Sequence, residues 1–137
     1  MSILADTNVL IVDDHHIIRR TLRQWLTGKF PTVNIVDLNS GEEAVTYTTQ
    51  NPVNLVLMDV HLPGIDGIEA TRKIKTQCPE LPVIILTVQE VDRYRTSATE
   101  AGADGYVIKR QMYTDLIPAI DSVLNSIEKN KSAWDFP

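Results

Sequence analysis

The chain has 137 residues, 43% of them hydrophobic and 23% charged, and a formal net charge of −5. This length suits one globular domain rather than two, and the acidic balance argues against a protein that binds the phosphate backbone of nucleic acids. No apolar run approaches the roughly 20 residues of a membrane span, the N-terminus lacks the basic start of a signal peptide, and a single cysteine, Cys78, allows no intrachain disulfide. We therefore expect a cytoplasmic protein with no membrane partner.

Five apolar runs predict β-strands, and a segment with helical spacing of apolar residues follows each of them. The runs are residues 9–12, 33–38, 55–58, 83–86 and 106–108. Strands that alternate with helices through short connections predict a parallel sheet covered by helices on both faces. Functional side chains are then expected at the carboxyl ends of the strands.

Local signals predict where several helices begin and end. Residues 40–43 predict a capping box at the start of the second helix, and residues 66–69 predict the start of the third. Gly102 is expected to end the fourth helix. Pro118 falls inside the apolar pattern of the last helix, so we expect that helix to begin near Thr114, which leaves the proline ring in the first turn.

Basic and imidazole side chains cluster after the first strand. Arg19, Arg20 and Arg23 are interpreted as a solvated helix face. His15 and His16 stand beside two aspartates and raise the question of a transition-metal site. Adjacent helical side chains point about 100° apart and cannot easily share one ion. Both histidines are therefore interpreted as surface residues of the first turn.

Polar and charged side chains that could form a functional site follow four of the predicted strands. Asp13 and Asp14 follow the first strand, Asp59 the third, Thr87 the fourth and Lys109 the fifth. An Asp-Asp pair alone is more often a helix cap than a metal site, but a third carboxylate changes this balance. Three carboxylates held together raise one another's pKa values, a cost that a divalent cation with oxygen ligands removes. Mg²⁺ is the natural candidate, because it needs few protein ligands and accepts substrate phosphate oxygens.

Four motifs, in order along the chain, resemble those of the receiver domains of two-component response regulators. They are VDDH at 12–15, MDVHLPGIDG at 58–67, LT at 86–87 and AGADGYVIK at 101–109. The resemblance implies a flavodoxin-like (βα)5 three-layer α/β sandwich, whose five-stranded parallel sheet has the order 2-1-3-4-5. It also implies a receiver domain over residues 1–128 and a C-terminal tail, or the start of a linker, over residues 129–137.

The resemblance implies a role for each residue at the sheet edge. Asp59 would be the nucleophile that accepts a phosphoryl group from a phosphohistidine of a sensor histidine kinase. Asp14, Asp59 and the main-chain carbonyl of His61 would bind Mg²⁺, for which Mn²⁺ is expected to substitute, and Asp13 would act through a metal-bound water. Lys109 would pair with a phosphoryl oxygen as a point charge.

Thr87 and Tyr106 resemble the switch pair of this family. The Thr87 hydroxyl would turn to the phosphoryl group and Tyr106 would fill the released space, which changes the surface of the fourth helix, fifth strand and fifth helix. From the residues alone, a backbone-bonded threonine and a half-buried tyrosine are the commoner readings. Because the chain would catalyse only its own phosphorylation and dephosphorylation, it is not expected to be an enzyme acting on other molecules.

The sequence after Lys109 bears on the output. Arg110 stands where many receivers have proline, and with GYVIK at 105–109 it resembles receivers that precede a LuxR-type helix-turn-helix domain. DNA is therefore expected as a partner only through an output domain outside these 137 residues. Homodimerisation on phosphorylation is expected through the last helix or the switch surface, with no choice between them.

Other classes fit the residues less well. A flavodoxin-like flavin carrier needs a phosphate-binding loop after the first strand, where residues 13–16 would repel phosphate. A phosphohydrolase of the haloacid-dehalogenase kind needs a second aspartate where this chain has His61. Two alternatives remain open: a degenerate receiver that signals without phosphate, and a stand-alone regulator that acts through protein contacts.

Overall fold

The computed structural model describes residues 4–88 and 92–134, with the side chains of the last helix described up to residue 126. The strands are β1 (Asn8–Val12), β2 (Asn34–Leu38), β3 (Leu55–Asp59), β4 (Val83–Thr87) and β5 (Gly105–Ile108). The helices are α1 (His16–Lys29), α2 (Gly41–Gln50), α3 (Gly67–Gln77), α4 (Asp92–Glu100) and α5 (Met112–Trp134), and a 3₁₀ turn over Lys109–Gln111 precedes α5. The predicted alternation is confirmed, with each strand boundary moved by at most one residue.

The strands form one parallel sheet of order β2-β1-β3-β4-β5, as the resemblance implied. Alternate residues of β1 point to opposite faces. Val9 and Ile11 join a core cluster with residues of α1 and α5, whereas Leu10 and Val12 join a second cluster with residues of α2, α3 and α4. The three-layer arrangement is thereby confirmed. It explains why β3 and β4, in the middle of the sheet, read as continuous apolar runs.

The expected caps of α2 and α3 are present. The Ser40 side chain accepts a hydrogen bond from the Glu43 amide, and that of Asp66 accepts one from the Glu69 amide at 2.8 Å. Gly102 follows α4 with φ of +99°, a left-handed conformation that ends a helix and suits glycine. Caps depend on residues three positions apart, so sequence patterns predict them well.

The predicted start of α5 near Thr114 was wrong. The helix begins at Met112, and Pro118 therefore lies in its second turn. Proline has no amide hydrogen to donate to the carbonyl four residues earlier, which belongs to Thr114, and this costs about 3 kcal/mol. Burial outweighs that cost, because Met112, Leu116 and Ile120 are 6%, 0% and 0% exposed and each contributes about 1.5–3 kcal/mol.

The C-terminal prediction concerns residues 129–137. The backbone of α5 continues to Trp134, so residues 129–134 are helical, and residues 135–137 lie outside the described part of the chain. The domain boundary at residue 128 stays a prediction. Within the ranges that the structure describes, no helix combines the length and the apolar character needed to cross a membrane.

An ion pair between Lys75 and Asp104 joins α3 to the amino-terminal ends of β4 and β5. The Asp104 carboxylate accepts hydrogen bonds from Lys75 Nζ at 3.0 Å and from the Val83 amide at 2.9 Å. Lys75 Nζ also donates to the Leu81 carbonyl at 2.9 Å, and its side chain is only 15% exposed. This network lies at the sheet edge opposite the strand ends that carry Asp59 and Thr87.

We expect Asp104→Ala to lower the free energy of unfolding by about 2 kcal/mol, because it leaves the largely buried Lys75 side chain and the amide of buried Val83 without their shared acceptor. Urea denaturation measures this difference. Arg72→Ala is the matched control: its partner is Glu69 one helical turn away, both side chains are 40% exposed or more, and the expected loss is under about 0.5 kcal/mol. Equal losses in the two variants would contradict the structural role of Asp104.

Candidate functional site

The parallel register brings the predicted site residues to one edge of the sheet. Val12 pairs with Met58, so Asp13 and Asp59 stand side by side at the carboxyl ends of β1 and β3. Thr87, the last residue of β4, pairs with the final residue of β5, after which Lys109 follows. Sequence patterns placed these side chains at strand ends, and the sheet order makes the strands neighbours.

Lys109 lies between two buried carboxylates. Its Nζ is 2.6 Å from Asp13 Oδ2 and 3.4 Å from Asp59 Oδ1. The lysine side chain is 9% exposed and both aspartate side chains are 3% exposed. Buried carboxylates persist as ions only when they are paired. The ammonium of Lys109 is therefore the positive charge that stabilises the buried carboxylates of Asp13 and Asp59.

Burial raises the pKa of Asp59 above its ordinary value. The cation of Lys109 works against this shift, the nearby carboxylate of Asp13 adds to it, and a hydrogen bond from the His61 amide opposes it. Desolvation is the largest of these effects, since taking a carboxylate out of water penalises its charged form. The balance favours binding of positive charge beside Asp59.

The backbone after Asp59 turns away from the carboxylate within a few residues. Gly67 begins α3 so close to the strand that a Cβ there would lie 1.8 Å from the Asp59 carbonyl oxygen. Its amide donates a hydrogen bond of 2.8 Å to the carbonyl of Val60. Gly64, in the intervening turn, has φ of +75°. The two glycines therefore allow the backbone to turn from β3 into α3 close to Asp59.

Four side chains offer ligand atoms that all lie within 4.8 Å of one another: Asp13, Asp14, His15 and Asp59. Three carboxylates make a hard oxygen set that suits Mg²⁺. Both oxygens of Asp13 are already occupied, Oδ2 by Lys109 at 2.6 Å and Oδ1 by the His15 amide at 2.9 Å. Asp14 and Asp59 are therefore the better direct ligands, and an indirect role for Asp13 through water fits its contacts.

The two histidine interpretations have different outcomes. The His15 side chain is 66% exposed, as expected of a surface residue, but its Nδ1 lies 3.2 Å from Asp13 Oδ1 and 3.1 Å from Asp14 Oδ1. His15 occupies the N-cap position of α1 in an extended conformation, with no capping hydrogen bond from its side chain, instead of lying in the first turn. His16 is the exposed first residue of that helix. The imidazole of His15 therefore belongs to the surroundings of the acidic site.

The remaining predicted residues lie around this centre. Thr87 is fully buried, and Tyr106, half-buried in β5, has the Arg95 guanidinium 4.6 Å from its ring centroid. Burial raises the pKa of Tyr106, while the Arg95 cation opposes the shift. The exposed ring of His61 meets Tyr94 of α4 edge-to-face at 5.5 Å. The metal role of the His61 carbonyl and the switch roles of Thr87 and Tyr106 stay predictions.

Sequence reasoning missed Arg19. Of the three arginines interpreted as a solvated face, only Arg20 fits that description fully: Arg19 is 17% exposed, and Arg23 donates hydrogen bonds to Asp37. Arg19 Nη1 donates a bond of 2.7 Å to the main-chain oxygen of Asp13. An available signal was the acidic Asp37 among the apolar residues of β2. Arg19 and Arg23 are four residues apart, which places both on one side of α1 as possible partners of that carboxylate.

A family model and curated relatives match most of this chain. A family model described as the response regulator receiver domain matches residues 9–121. Response regulator UvrY of Escherichia coli (strain K12) is 38% identical over 116 residues, which make up 85% of this chain and 53% of that protein. The chain thus spans about half the length of such curated relatives.

Solved structures also match most of this chain. A two-component response regulator of the LuxR family from Aurantimonas sp. SI85-9A1 aligns with a TM-score of 0.80 and 33% identity, over 89% of this chain and 87% of that one. The response regulator TrrA from Thermotoga maritima, in complex with Mg(2+)-BeF, aligns with a TM-score of 0.77 and 28% identity, over 85% of this chain and 98% of that one.

Proposed function

Because this chain belongs to the response regulator receiver domains of two-component systems, we propose that it accepts a phosphoryl group on Asp59. One observation carries the assignment: a carboxylate that is 3% exposed stands at a strand end beside Lys109, within 4.8 Å of further carboxylate oxygens that could bind a metal ion. A nucleophile, a cation for the phosphoryl oxygens and a divalent-cation site are the parts that phosphoryl transfer requires.

The residues divide the reaction between them. An oxygen of Asp59 attacks phosphorus as the bond from phosphorus to the donor's imidazole nitrogen breaks, and the electron pair leaves with the imidazole. Lys109 Nζ, 3.4 Å from that carboxylate, is placed to pair with a phosphoryl oxygen. Rigid burial of β3 holds Asp59 in position, which supplies the orientation of the reaction.

Mg²⁺ is the cation that the acidic residues fit best. It would be held by Asp14, Asp59 and the main-chain carbonyl of His61, with Asp13 acting through water, and it would neutralise charge on the phosphoryl oxygens. The oxygen-rich donor set supports the same residues binding Mn²⁺. The chain then catalyses only its own phosphorylation and dephosphorylation, and we do not propose an activity on other molecules.

The response to phosphorylation would pass through Thr87 and Tyr106. Thr87 ends β4 next to the site, and Tyr106 lies on the neighbouring strand, two residues before the register partner of Thr87. A turn of the threonine hydroxyl to the phosphoryl group would free space for the tyrosine ring, which now lies beside Arg95. The surface of α4, β5 and α5 would change as a result.

The donor would be a sensor histidine kinase, in keeping with the family. The name of one solved relative, a DNA-binding response regulator of the LuxR family from Staphylococcus aureus, supports an output in gene regulation through contact with DNA. We further propose that a separate domain makes this contact and that the phosphorylated form dimerises. The absence of a membrane-spanning helix from the described ranges is compatible with the proposed cytoplasmic location.

Intact-mass spectrometry after incubation with acetyl phosphate tests the proposal. We expect a gain of one phosphoryl group that requires Mg²⁺ and is removed by hydroxylamine, as an acyl phosphate must be. Peptide mapping after borohydride reduction should place the modification at Asp59. A receiver known to react under the same conditions serves as the control.

Two results would contradict the proposal. A modification mapped to another residue would remove Asp59 as the nucleophile. No mass gain, while the control receiver reacts, would favour the degenerate receiver that signals without phosphate.

A further inference from the structure

Arg19 connects the edge strand β2 to the loop that carries the acidic pair. Its Nη1 donates a hydrogen bond of 2.7 Å to the main-chain oxygen of Asp13, and its Nε lies 3.8 Å from Asp37 Oδ1. The Arg19 side chain is 17% exposed and that of Asp37 28%. Asp37 also accepts from Arg23, so its carboxylate is fixed from two sides. The guanidinium is thus held at one end while it holds a carbonyl at the other.

The carbonyl that Arg19 binds belongs to the peptide between Asp13 and Asp14. Because the peptide unit is planar, fixing its oxygen fixes the direction in which the chain enters Asp14. The Asp14 side chain is 37% exposed and contacts the still more exposed ring of His15 at 3.1 Å. Packing therefore does little to orient this carboxylate, and its position depends mainly on its backbone.

We propose that Arg19 is a positioning residue for the divalent-cation site, acting on Asp14 through the main chain of Asp13. This inference rests on the proposed function, in which Asp14 is a direct metal ligand. Outer groups that orient metal ligands typically change metal affinity by about 10–100-fold when they are removed. An orienting bond to the main chain is expected to lie at the lower end of this range.

The sign of the effect separates this role from simple electrostatics. Arg19 is a cation close to a cation site, so its charge alone disfavours Mg²⁺. If charge were its only influence, its removal would strengthen Mg²⁺ binding. A positioning role predicts weaker binding after the same substitution.

Arg23 provides a matched control one turn further along α1. Its Nε and Nη2 both donate to Asp37 Oδ2, at 3.2 and 3.0 Å. Its Nη1 donates to the Ile35 carbonyl at 3.1 Å and not to that of Asp13. Removing Arg23 therefore also takes one cation and one Asp37 partner from the same helix. It leaves the bond to the Asp13 carbonyl in place.

The test is a Mg²⁺ titration of the full chain and its variants, followed by amide NMR shifts of residues 13–15, together with phosphorylation rates at increasing Mg²⁺. Arg19→Ala is expected to raise the Kd for Mg²⁺ about tenfold, and high Mg²⁺ should restore most of its rate. Arg23→Ala is expected to change the Kd less than about twofold. Arg19→Lys, which keeps one donor, should fall between the wild type and Arg19→Ala.

Equal Kd values in the two alanine variants, or tighter binding by Arg19→Ala, would overturn the positioning role. If Arg19→Ala does not fold, Arg19→Lys compared with Arg23→Lys makes the same distinction with charge kept at both positions. A wild type that binds Mg²⁺ and takes a phosphoryl group, with unaffected Arg19 variants, refutes this inference alone. A wild type that does neither refutes the proposed function, and this inference with it.

Discussion

Asp59→Asn is expected to abolish the phosphoryl gain from acetyl phosphate and, at neutral pH, to be more stable than the wild type. Loss of the adduct follows because the amide has no carboxylate oxygen to attack phosphorus. The gain in stability follows from burial: Asp59 is 3% exposed, so its charged carboxylate loses most of its contact with water when the chain folds, which costs free energy. Asparagine keeps the shape and carries no charge, and Lys109 retains its 2.6 Å contact with Asp13.

The difference in stability between Asp59→Asn and the wild type depends on pH, and its direction follows from the pKa of Asp59. Burial, reinforced by Asp13 and opposed by Lys109, raises the pKa of Asp59 in the folded state. The folded chain therefore binds this proton more tightly than the unfolded chain does. The free energy of unfolding falls as pH rises from the unfolded pKa of about 3.9 through the raised folded value. Asparagine cannot contribute that fall, so the advantage of the variant should be present at pH 7 and shrink toward pH 4.

Urea denaturation at pH 7 and pH 4, in buffer with a chelator to remove divalent cations, measures the difference. Asp66→Asn is the control, since Asp66 is an exposed cap of α3 and asparagine caps helices about as well as aspartate. The control should match the wild type in stability and still take a phosphoryl group. An Asp59→Asn protein that gains a phosphoryl group would contradict the role of Asp59 as the nucleophile. A variant that is less stable than the wild type at pH 7 would contradict a net cost of burying the Asp59 charge.

The site residues that could be predicted from the sequence are those that stand at the ends of predicted strands. Asp59 ends a run of buried residues, and a carboxylate there must be solvated, paired or functional, which made it visible from the sequence. The meeting of β1, β3 and β4 depended on the sheet order, which only the resemblance supplied. Capping residues were also predictable, since Ser40 and Asp66 act within three residues of themselves.

Features that depend on tertiary contacts were missed. Arg19 was misread because a sequence pattern can indicate at most its ion pair with Asp37, whereas its hydrogen bond to the main-chain oxygen of Asp13 leaves no mark there. The start of α5 was misplaced because the cost of Pro118 was judged without the burial of Met112, which the first turn of the helix brings into the core. His15 was placed in a helix, whereas its extended backbone turns the ring to the aspartates. In each case packing or a long-range bond overrode a local rule.

Lys109→Met is expected to lower the free energy of unfolding by about 3 kcal/mol in metal-free buffer, because it leaves two buried carboxylates without their cation. Asp13 and Asp59, each 3% exposed, would then face each other with like charge. A divalent cation supplies positive charge at the same place, so added Mg²⁺ should recover part of the loss. Thermal unfolding with and without Mg²⁺ measures both effects, and the Mg²⁺-dependent rise in Tm should exceed that of the wild type.

Lys75→Met separates this effect from the general cost of losing a largely buried, ion-paired lysine. Lys75 pairs with Asp104 at 3.0 Å and is 15% exposed, but it lies at the opposite edge of the sheet. Its loss should destabilise the fold without enlarging the response to Mg²⁺. Phosphorylation should also differ: Lys109→Met loses a donor to the phosphoryl oxygens and should react about 100-fold more slowly at saturating Mg²⁺, whereas Lys75→Met should react at the wild-type rate. Similar Mg²⁺ responses and rates in the two variants would mean that Lys109 is only a structural counter-ion to Asp13.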